Sequence, residues 1–255
     1  MRRRGFTLIE LLMVIAIVSL LISILLPALS QSRRMGRRSV TLSNLRDVGV
    51  GFMAYAQDSD DHFPVLTDPE EKAFFGVSVL ARSHQLPEKS LLNPNTLDTG
   101  ATQFTEDGRP ILAELGGVPV DALTDVQPGN VEQIRWHISF AYDPDPKKSQ
   151  TNRPMKLNTS LPQVFFGDRA DYATGRTFSA NWGKDGMCLL WTDTHAEFSK
   201  HRFIEEQGDP NIYHHNELDG EGGDEQNGGV KVTEGTRDTH LRVFTEEEDD
   251  ALLQN

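Results

Sequence analysis

The chain contains a single cysteine, Cys188, among its 255 residues, which excludes an intrachain disulfide. Cys188 lies in the apolar run Met187–Trp191, which has the pattern of a buried strand. A thiol in such a run is typical of a packed structural cysteine, because reactive cysteines lie in exposed and electropositive surroundings.

Basic residues are also in short supply: 25 Lys and Arg stand against 38 Asp and Glu, for a formal net charge of −13. The excess of acid is confined to residues 205–255, which hold 15 acidic and 3 basic residues, whereas residues 1–204 are close to neutral. Nucleic-acid binding requires a basic face. The composition therefore argues against a nucleic-acid partner.

Motifs of known enzyme classes are missing. The chain has no Gly-x-Ser-x-Gly elbow, no phosphate-binding loop and no dinucleotide fingerprint. Asp168 and Asp171 flank Arg169, a pattern that favours surface ion pairs over an acid–base site. The histidines at positions 195, 201, 214 and 215 lack the cysteine or His-Glu-x-x-His context of a zinc site. We therefore expect a protein that is not an enzyme.

A long apolar segment is present near the start of the chain. It runs from Phe6 to Leu26, and its 21 residues contain one ionisable side chain, Glu10. As a helix the segment is about 32 Å long, which matches a hydrocarbon core of about 30 Å. A charge in the bilayer costs about 2.5–3.5 kcal/mol, so a carboxylate there predicts a functional site that pairs with a cation.

The stretch Arg2–Glu10 reads Arg-Arg-Arg-Gly-Phe-Thr-Leu-Ile-Glu and resembles the cleavage and methylation signal of type IV prepilins and type II secretion pseudopilins. The resemblance implies that a prepilin peptidase cuts between Gly5 and Phe6 and that Phe6 is then methylated. It also implies that Glu10 meets the N-terminal amine of a neighbouring subunit, and that Pro27 kinks the helix.

The same resemblance implies partners and a location. The partners are the prepilin peptidase, other pilin or pseudopilin subunits, the inner-membrane secretion platform and membrane lipids. The location is a single pass through the inner membrane, with the C-terminal domain outside the cytoplasm. Charge alone does not orient the span, because Arg2–Arg4 precede it and four arginines, at 33, 34, 37 and 38, follow it. These four would lie at the outer headgroups, line a filament groove or form a solvated helix face.

Two other interpretations of the apolar segment stay open. A plain membrane anchor would explain its length but not Glu10 or the order of residues around it. A secretory signal peptide has a shorter apolar core and a small-residue cleavage site on its far side, to which Leu25–Ala28 bears only a loose likeness.

The helix is predicted to continue beyond Pro27 and to end between Asp58 and His62. An apolar stripe recurs at alternating steps of three and four, which predicts one face packed on a globular domain. Its members are Leu42, Leu45, Gly49, Phe52 and Ala56, widened by Val48 and Tyr55. Residues 44–65 are similar to the corresponding stretch of pseudopilin-like proteins.

Strands are predicted in the second half of the chain, at Ile134–Tyr142, Gln163–Asp168, Gly186–Trp191 and His195–Phe198. A short helix within Glu70–Ser83 and an apolar piece at Ile111–Leu115 precede them. Short turns between strands favour antiparallel hairpins. The predicted fold is α+β, with a long, partly transmembrane N-terminal helix packed on a small antiparallel sheet, as in pilins.

The last predicted hairpin, Gly186–Phe198, resembles that of a pseudopilin-like subfamily named for a histidine that nine residues separate from an Asp-Gly pair. Asp193 matches the aspartate of that motif, whereas Gly183 stands in the histidine position and Thr194 in the glycine position. The resemblance therefore implies the fold and no ligand site.

The predicted organisation has five parts. They are a leader at 1–5, a transmembrane and assembly half-helix at 6–29, an amphipathic half-helix at 30–62, a globular domain at 63–204 and an acidic region at 205–255. The acidic region offers oxygen ligands of the kind that calcium takes, at Asp219, Glu221, Asp224 and Glu225, but without the spacing of an EF-hand. The alternative is a solvated loop. Calorimetry that detected no binding at millimolar calcium would exclude the site.

The expected function is that of a prepilin-like structural subunit of a type II secretion pseudopilus or type IV pilus-like filament. The alternatives are a membrane-anchored envelope binding protein that uses its acidic tail to hold calcium or a cationic partner, and an anchored envelope enzyme. Copurification with other filament subunits separates the first function from the binding protein, and a pocket of convergent titratable groups would indicate the enzyme.

Overall fold

The computed structural model describes residues 8–64, 75–83, 86–120, 133–142, 162–170 and 179–200. The chain divides into two compact units, Met1–Ser39 and Val40–Asn255. A single helix, α1, begins in the first unit at Leu8 and ends in the second at Asp58. Its end lies within the predicted range of 58 to 62. The backbone turns out of the helix through Asp60 and Asp61, whose φ values of 57° and 63° are tolerated by aspartate better than by most residues.

The part of α1 that belongs to the second unit buries the predicted stripe. Leu45, Val48, Phe52 and Ala56 are completely buried, and Leu42 and Tyr55 pack against the same core at its edge. The helical period of the apolar residues, rather than their number, therefore identified the packed face.

After α1, the described residues form one short helix, a 3-10 turn and seven strands. The helix α2 spans Phe75–Arg82, and the 3-10 turn spans Glu88–Leu91. The strands are β1 (Ala113–Leu115), β2 (Val118–Pro119), β3 (Ile134–Trp136), β4 (Phe140–Tyr142), β5 (Val164–Asp168), β6 (Met187–Trp191) and β7 (Ala196–Ser199). They form two antiparallel sheets, one in the order β2-β1-β3 and one in the order β4-β5-β6-β7. The α+β, pilin-like class is confirmed.

One predicted strand is wrong in its extent, because Ile134–Tyr142 forms β3 and β4 in different sheets. The break falls at residues 137–139, where the backbone N–H of His137 donates to Leu112 O and that of Ser139 to Leu91 O. The side chains of His137 and Ser139 are buried polar groups that bond to neighbouring loops. These side-chain hydrogen bonds interrupt strand pairing, so that β3 ends in one sheet and β4 begins in the other.

The core is centred on an aromatic cluster around Phe52. Its ring lies 5.0–5.9 Å from four others, those of Phe63, Tyr142, Phe165 and Phe166. Such pairs contribute about 0.5–1.5 kcal/mol each beyond the burial of their surface. The cluster joins the C-terminal half of α1 to the four-stranded sheet.

The β6–β7 hairpin closes through Thr192, Asp193 and Thr194, the three residues between the two predicted strands. The N–H of Thr194 donates to Trp191 O and that of Trp191 to His195 O, each at 2.9 Å. Thr194 adopts a φ of 67°, a conformation that glycine accepts and that a β-branched residue rarely takes. The position at which Thr194 departs from the subfamily motif is thus the one where the turn calls for glycine.

Candidate functional site

The first described residues of α1 form an apolar surface on all sides. Every residue from Leu8 to Arg37 is exposed, and the exposed fraction of Leu8 is 82%. The most apolar 18-residue window of α1 has a mean hydropathy of 2.9, and none of it is buried inside the chain. A helix that is apolar all round requires an apolar environment, which is a protein core or a membrane. By length and composition α1 is able to cross a membrane.

Glu10 lies in the first turn of the described helix, and its side chain is exposed among apolar neighbours. No other acidic residue occurs before Asp47. The helix therefore presents one negative charge near the start of an exposed apolar surface. The predicted cleavage residues Gly5 and Phe6 lie outside the described residues.

Pro27 lies inside α1, and the helix continues through it. Proline has no N–H to donate to the carbonyl of Ser23. Two serine hydroxyls near it bond within the helix, Ser23 Oγ to Leu20 O at 2.7 Å and Ser30 Oγ to Pro27 O at 2.8 Å. Bonds of this kind satisfy hydroxyl groups without water, which suits a helix in an apolar environment. The kink predicted at Pro27 stays a prediction.

Four arginines, at 33, 34, 37 and 38, follow the apolar segment, and they lie within about one and a half helical turns of one another. Arg33, Arg34 and Arg37 are exposed and Arg38 is half-buried. Placed directly after a membrane-length segment, these side chains are long enough to reach the headgroup layer. The exposed surface of α1 thus changes abruptly from apolar to basic.

A family model described as the prokaryotic N-terminal methylation motif matches residues 1–26. The chain fits the type IV prepilin and pseudopilin-like family. The motif covers the leader, the predicted cleavage position, Glu10 and the apolar segment up to Leu26. It implies processing by a prepilin peptidase and assembly with other pilin subunits. No curated protein and no solved structure matches the chain.

A second candidate site lies in the globular unit of this prepilin-like chain, around Asp168. Its carboxylate is completely buried and accepts three N–H bonds, from the amides of Asn93 and Asn181 and from the backbone of Cys188. Burial raises the pKa of Asp168 to about 7, although the three donors act in the opposite direction. A perturbed carboxyl of this kind is a frequent mark of a functional site.

Arg169, the neighbour of Asp168, is also buried. One guanidinium nitrogen lies 3.4 Å from a carboxylate oxygen of Asp98, and the guanidinium carbon lies 4.1 Å from the centre of the Trp136 ring. The prediction of surface ion pairs around Arg169 is therefore wrong, because strand β5 carries Asp168 into the core and Arg169 with it. Asp171 lies outside the described residues.

The Asp168 cluster has the geometry of a structural network. The Asp168 carboxylate has no solvent contact, and a groove found in this unit, near Phe104, includes none of the residues that bond to it. Its partners tie the loop at Asn93, the turn at Asn181 and strand β6 to strand β5. Asp168 therefore holds elements together and has no path to a substrate in the described part of the chain.

The predicted calcium ligands Asp219, Glu221, Asp224 and Glu225 lie outside the described residues, and the site stays a prediction. Among the described residues no group of three or more His, Cys, Asp or Glu side chains could hold a metal ion. Cys188 is buried, as the apolar run around it predicted.

Sequence reasoning missed the members of the Asp168 network, which come from four separate stretches of the chain. Asn93, Ser139 and Asn181 have no spacing that would mark them, since polar residues of these types are common in loops. One signal was available: Asp168 ends the run Val-Phe-Phe-Gly-Asp, and a carboxylate at the end of a fully apolar strand is often buried with it.

Proposed function

We propose that this chain is a structural subunit of a type II secretion pseudopilus or a type IV pilus-like filament. One observation carries the proposal: the match to the methylation motif, at residues 1–26, includes the exposed apolar part of a helix of membrane length, with a single carboxylate near its start. A surface of this kind gains free energy by entering lipid or a bundle of like helices.

The first step is processing at the N-terminus. The prepilin peptidase removes Met1–Gly5, and with it the three arginines, and leaves Phe6 as the first residue, which is then methylated. Cleavage creates a new amine four residues before Glu10 in the chain. The mature chain therefore carries a cation and an anion close together in sequence at its N-terminus.

The second step is assembly, in which Glu10 of one subunit pairs with the terminal amine of its neighbour. In an apolar bundle the attraction between these charges is much stronger than in water, and an unpaired charge is costly. The pair therefore sets the register of two helices that are otherwise uniformly apolar. Repeated head-to-tail contacts of this kind produce an open filament rather than a closed ring.

Before assembly the subunit spans the inner membrane once, with its globular unit outside the cytoplasm. The arginine-rich stretch at 33–38 would lie at the outer headgroups, where phosphate groups attract it. The inner-membrane secretion platform is the machine that would move the subunit from lipid into the filament.

The globular unit has a structural role in this proposal and no catalytic one. Among its described residues, the Asp168 carboxyl is sealed in the core by N–H donors, and the buried guanidinium of Arg169 lies 3.4 Å from the carboxylate of Asp98. A sealed network maintains the shape of the surface that a filament subunit presents.

The mass of the N-terminal peptide, isolated from the envelope of the native host, tests the function. We expect a peptide that starts at Phe6 and is heavier by one methyl group. A peptide that starts at Met1 or Arg2 would contradict processing, and would favour a permanently anchored binding protein.

A further inference from the structure

The four arginines that follow the apolar segment lie on one side of α1. At about 100° per residue they fall within an arc of about 140° around the helix axis. This basic face consists of Arg33, Arg34, Arg37 and Arg38. The opposite side of the same turns is uncharged and consists of Met35, Gly36, Ser39 and Val40. The positive charge is therefore concentrated in one direction.

The basic face is accessible, and α1 brings no carboxylate near it. Arg33, Arg34 and Arg37 are exposed. The acidic residues of α1 on either side of the face are Glu10, more than 20 residues earlier, and Asp47, nine residues beyond Arg38. Positions 33 and 37, and likewise 34 and 38, are four residues apart, a spacing at which like charges on a helix repel. An anion that approaches the face relieves this repulsion.

The position of the basic face along α1 matches the headgroup layer of a bilayer. Exposed apolar residues continue to Leu29, and Arg33 follows four residues later, or about 6 Å along the axis. The headgroup layer extends about 5–7 Å beyond the hydrocarbon core on each side. Helical side chains lean toward the N-terminus of their helix, which here is toward the apolar segment. With the apolar segment in the hydrocarbon core, the guanidinium groups therefore reach the level of the phosphates.

We propose that the basic face binds the headgroups of anionic phospholipids, in preference to zwitterionic ones, at the C-terminal end of the membrane span. A guanidinium group donates paired N–H bonds to phosphate oxygens, and basic side chains beside a span are attracted to anionic lipid. A zwitterionic headgroup has a cation of its own that offsets its phosphate. The proposal rests on the single membrane pass in the proposed function.

Continuity with the apolar segment identifies lipid as the partner. The basic face belongs to the same helix and the same compact unit as a surface that is apolar on all sides and of membrane length. Insertion of that surface into a bilayer itself brings phosphates to the level of the arginines. An acidic protein would reach the same charges only through a separate binding event.

The lipid contact would set the depth of the subunit before assembly. The segment before the basic face is apolar without interruption from Leu11 to Leu26, so its composition resists a small shift along the helix axis only weakly. Arginines held at the phosphates oppose such a shift in either direction, since they would have to enter the hydrocarbon core or leave their anions.

Spin-labelled lipids test the preference. The full-length chain is purified from envelopes of the native host and reconstituted in phosphatidylcholine vesicles with a trace of spin-labelled phosphatidylglycerol or spin-labelled phosphatidylcholine. Electron paramagnetic resonance measures the fraction of label immobilised at the protein, which gives the relative association constant of the two lipids. We expect phosphatidylglycerol to be favoured by about threefold or more at low salt, and less so at high salt.

Substitutions locate the preference on α1. The triple variant Arg33→Gln, Arg34→Gln, Arg37→Gln should lower the preference for phosphatidylglycerol by about twofold or more, and Arg34→Gln alone by less. The control for the single change is Arg46→Gln, which removes an exposed arginine eight residues beyond Arg38, or about 12 Å further from the span. It should leave the preference unchanged. An unchanged preference in the triple variant, or equal losses in Arg34→Gln and Arg46→Gln, would overturn the proposal.

Inorganic phosphate distinguishes a lipid headgroup from a free anion. At equal ionic strength, phosphate and chloride should weaken the preference equally, and abolition by phosphate alone would mean a site for free phosphate and contradict the lipid contact.

The mass of the N-terminal peptide from the same preparation separates this inference from the proposed function. A chain that starts at methylated Phe6 and shows no preference would refute the lipid contact and leave the filament function standing. An unprocessed chain with the preference would do the reverse.

Discussion

Glu10 and Asp168 are two carboxylates that lie beside apolar residues, but Glu10 is exposed and Asp168 is buried. Asp168 is sealed inside the globular unit and accepts three N–H bonds from the residues around it. Glu10 stands exposed on an apolar helix surface that nothing in the described chain buries. A charge that the fold encloses and satisfies maintains the structure, whereas a carboxylate on an exposed apolar surface of membrane length predicts a functional site.

Substitution of Glu10 by Gln tests the role of the exposed carboxylate and should have the largest effect of the changes proposed here. The variant keeps the shape of the side chain and removes its charge, so the pair with a neighbour's amine is lost. We expect filament incorporation to fall at least tenfold, measured in sheared filament fractions, with the melting temperature of the globular unit unchanged.

The matched control is Asp47→Asn, which removes the next acidic charge along α1 from an exposed position. Incorporation of this variant should stay normal. Equal losses in both variants would mean that α1 requires negative charge in general and that Glu10 has no special partner.

Substitution of Asp168 by Ala tests the role of the buried carboxylate, and we expect it to lower the stability of the fold and nothing else. At pH 5 the change leaves three buried N–H donors without an acceptor, and each costs about 1–3 kcal/mol. We expect the free energy of unfolding to fall by about 3–5 kcal/mol, measured by denaturant unfolding of the chain in detergent. Glu106→Ala is the control, because Glu106 is exposed and surface changes usually alter stability by about 0.5 kcal/mol or less.

The effect of Asp168 should also depend on pH, in a direction set by its raised pKa. The folded pKa of about 7 lies above the ordinary value of 3.8, so the folded state binds the proton more tightly than the unfolded state. The contribution of Asp168 protonation to the free energy of unfolding is therefore complete below about pH 4 and is lost as the pH rises through 7. The loss of unfolding free energy caused by Asp168→Ala should be smaller at pH 8 than at pH 5. An equal loss at both pH values would contradict the raised pKa of Asp168.

A pair of glycine substitutions along α1 compares its two halves and should give the smallest effects. A Cβ at Gly49 would lie 3.2 Å from Leu190 Cδ1 and from Thr194 Cγ2, whereas one at Gly36 would meet nothing within 4 Å. We expect Gly49→Ala to destabilise the chain by about 1–3 kcal/mol through overpacking. Gly36→Ala should raise stability by up to about 1 kcal/mol, because alanine is the better helix former. Thermal unfolding in detergent measures both, and losses of similar size would contradict the difference between the two halves.

The sequence predicted the elements whose signal is periodic or continuous. The stripe from Leu45 to Ala56 identified the packed face of α1, and three strands of the four-stranded sheet were located within about one residue. The division at residues 137–139 was not predictable, because the bonds that cause it join His137 and Ser139 to distant loops. The partners of Asp168 were missed for the same reason.

Local information determined the apolar span, its single carboxylate, the match to the methylation motif and the hairpin turn at Thr194. Each depends on residues that are close together in the chain, so composition and spacing are enough to reveal it. Only the tertiary structure decided that Asp168 and Arg169 are buried and that Phe104 lines a groove. Those properties depend on contacts between residues that lie from 13 positions apart, as Asp168 and Asn181 do, to 75 positions apart, as Asn93 and Asp168 do, and these distances are set only when the chain folds.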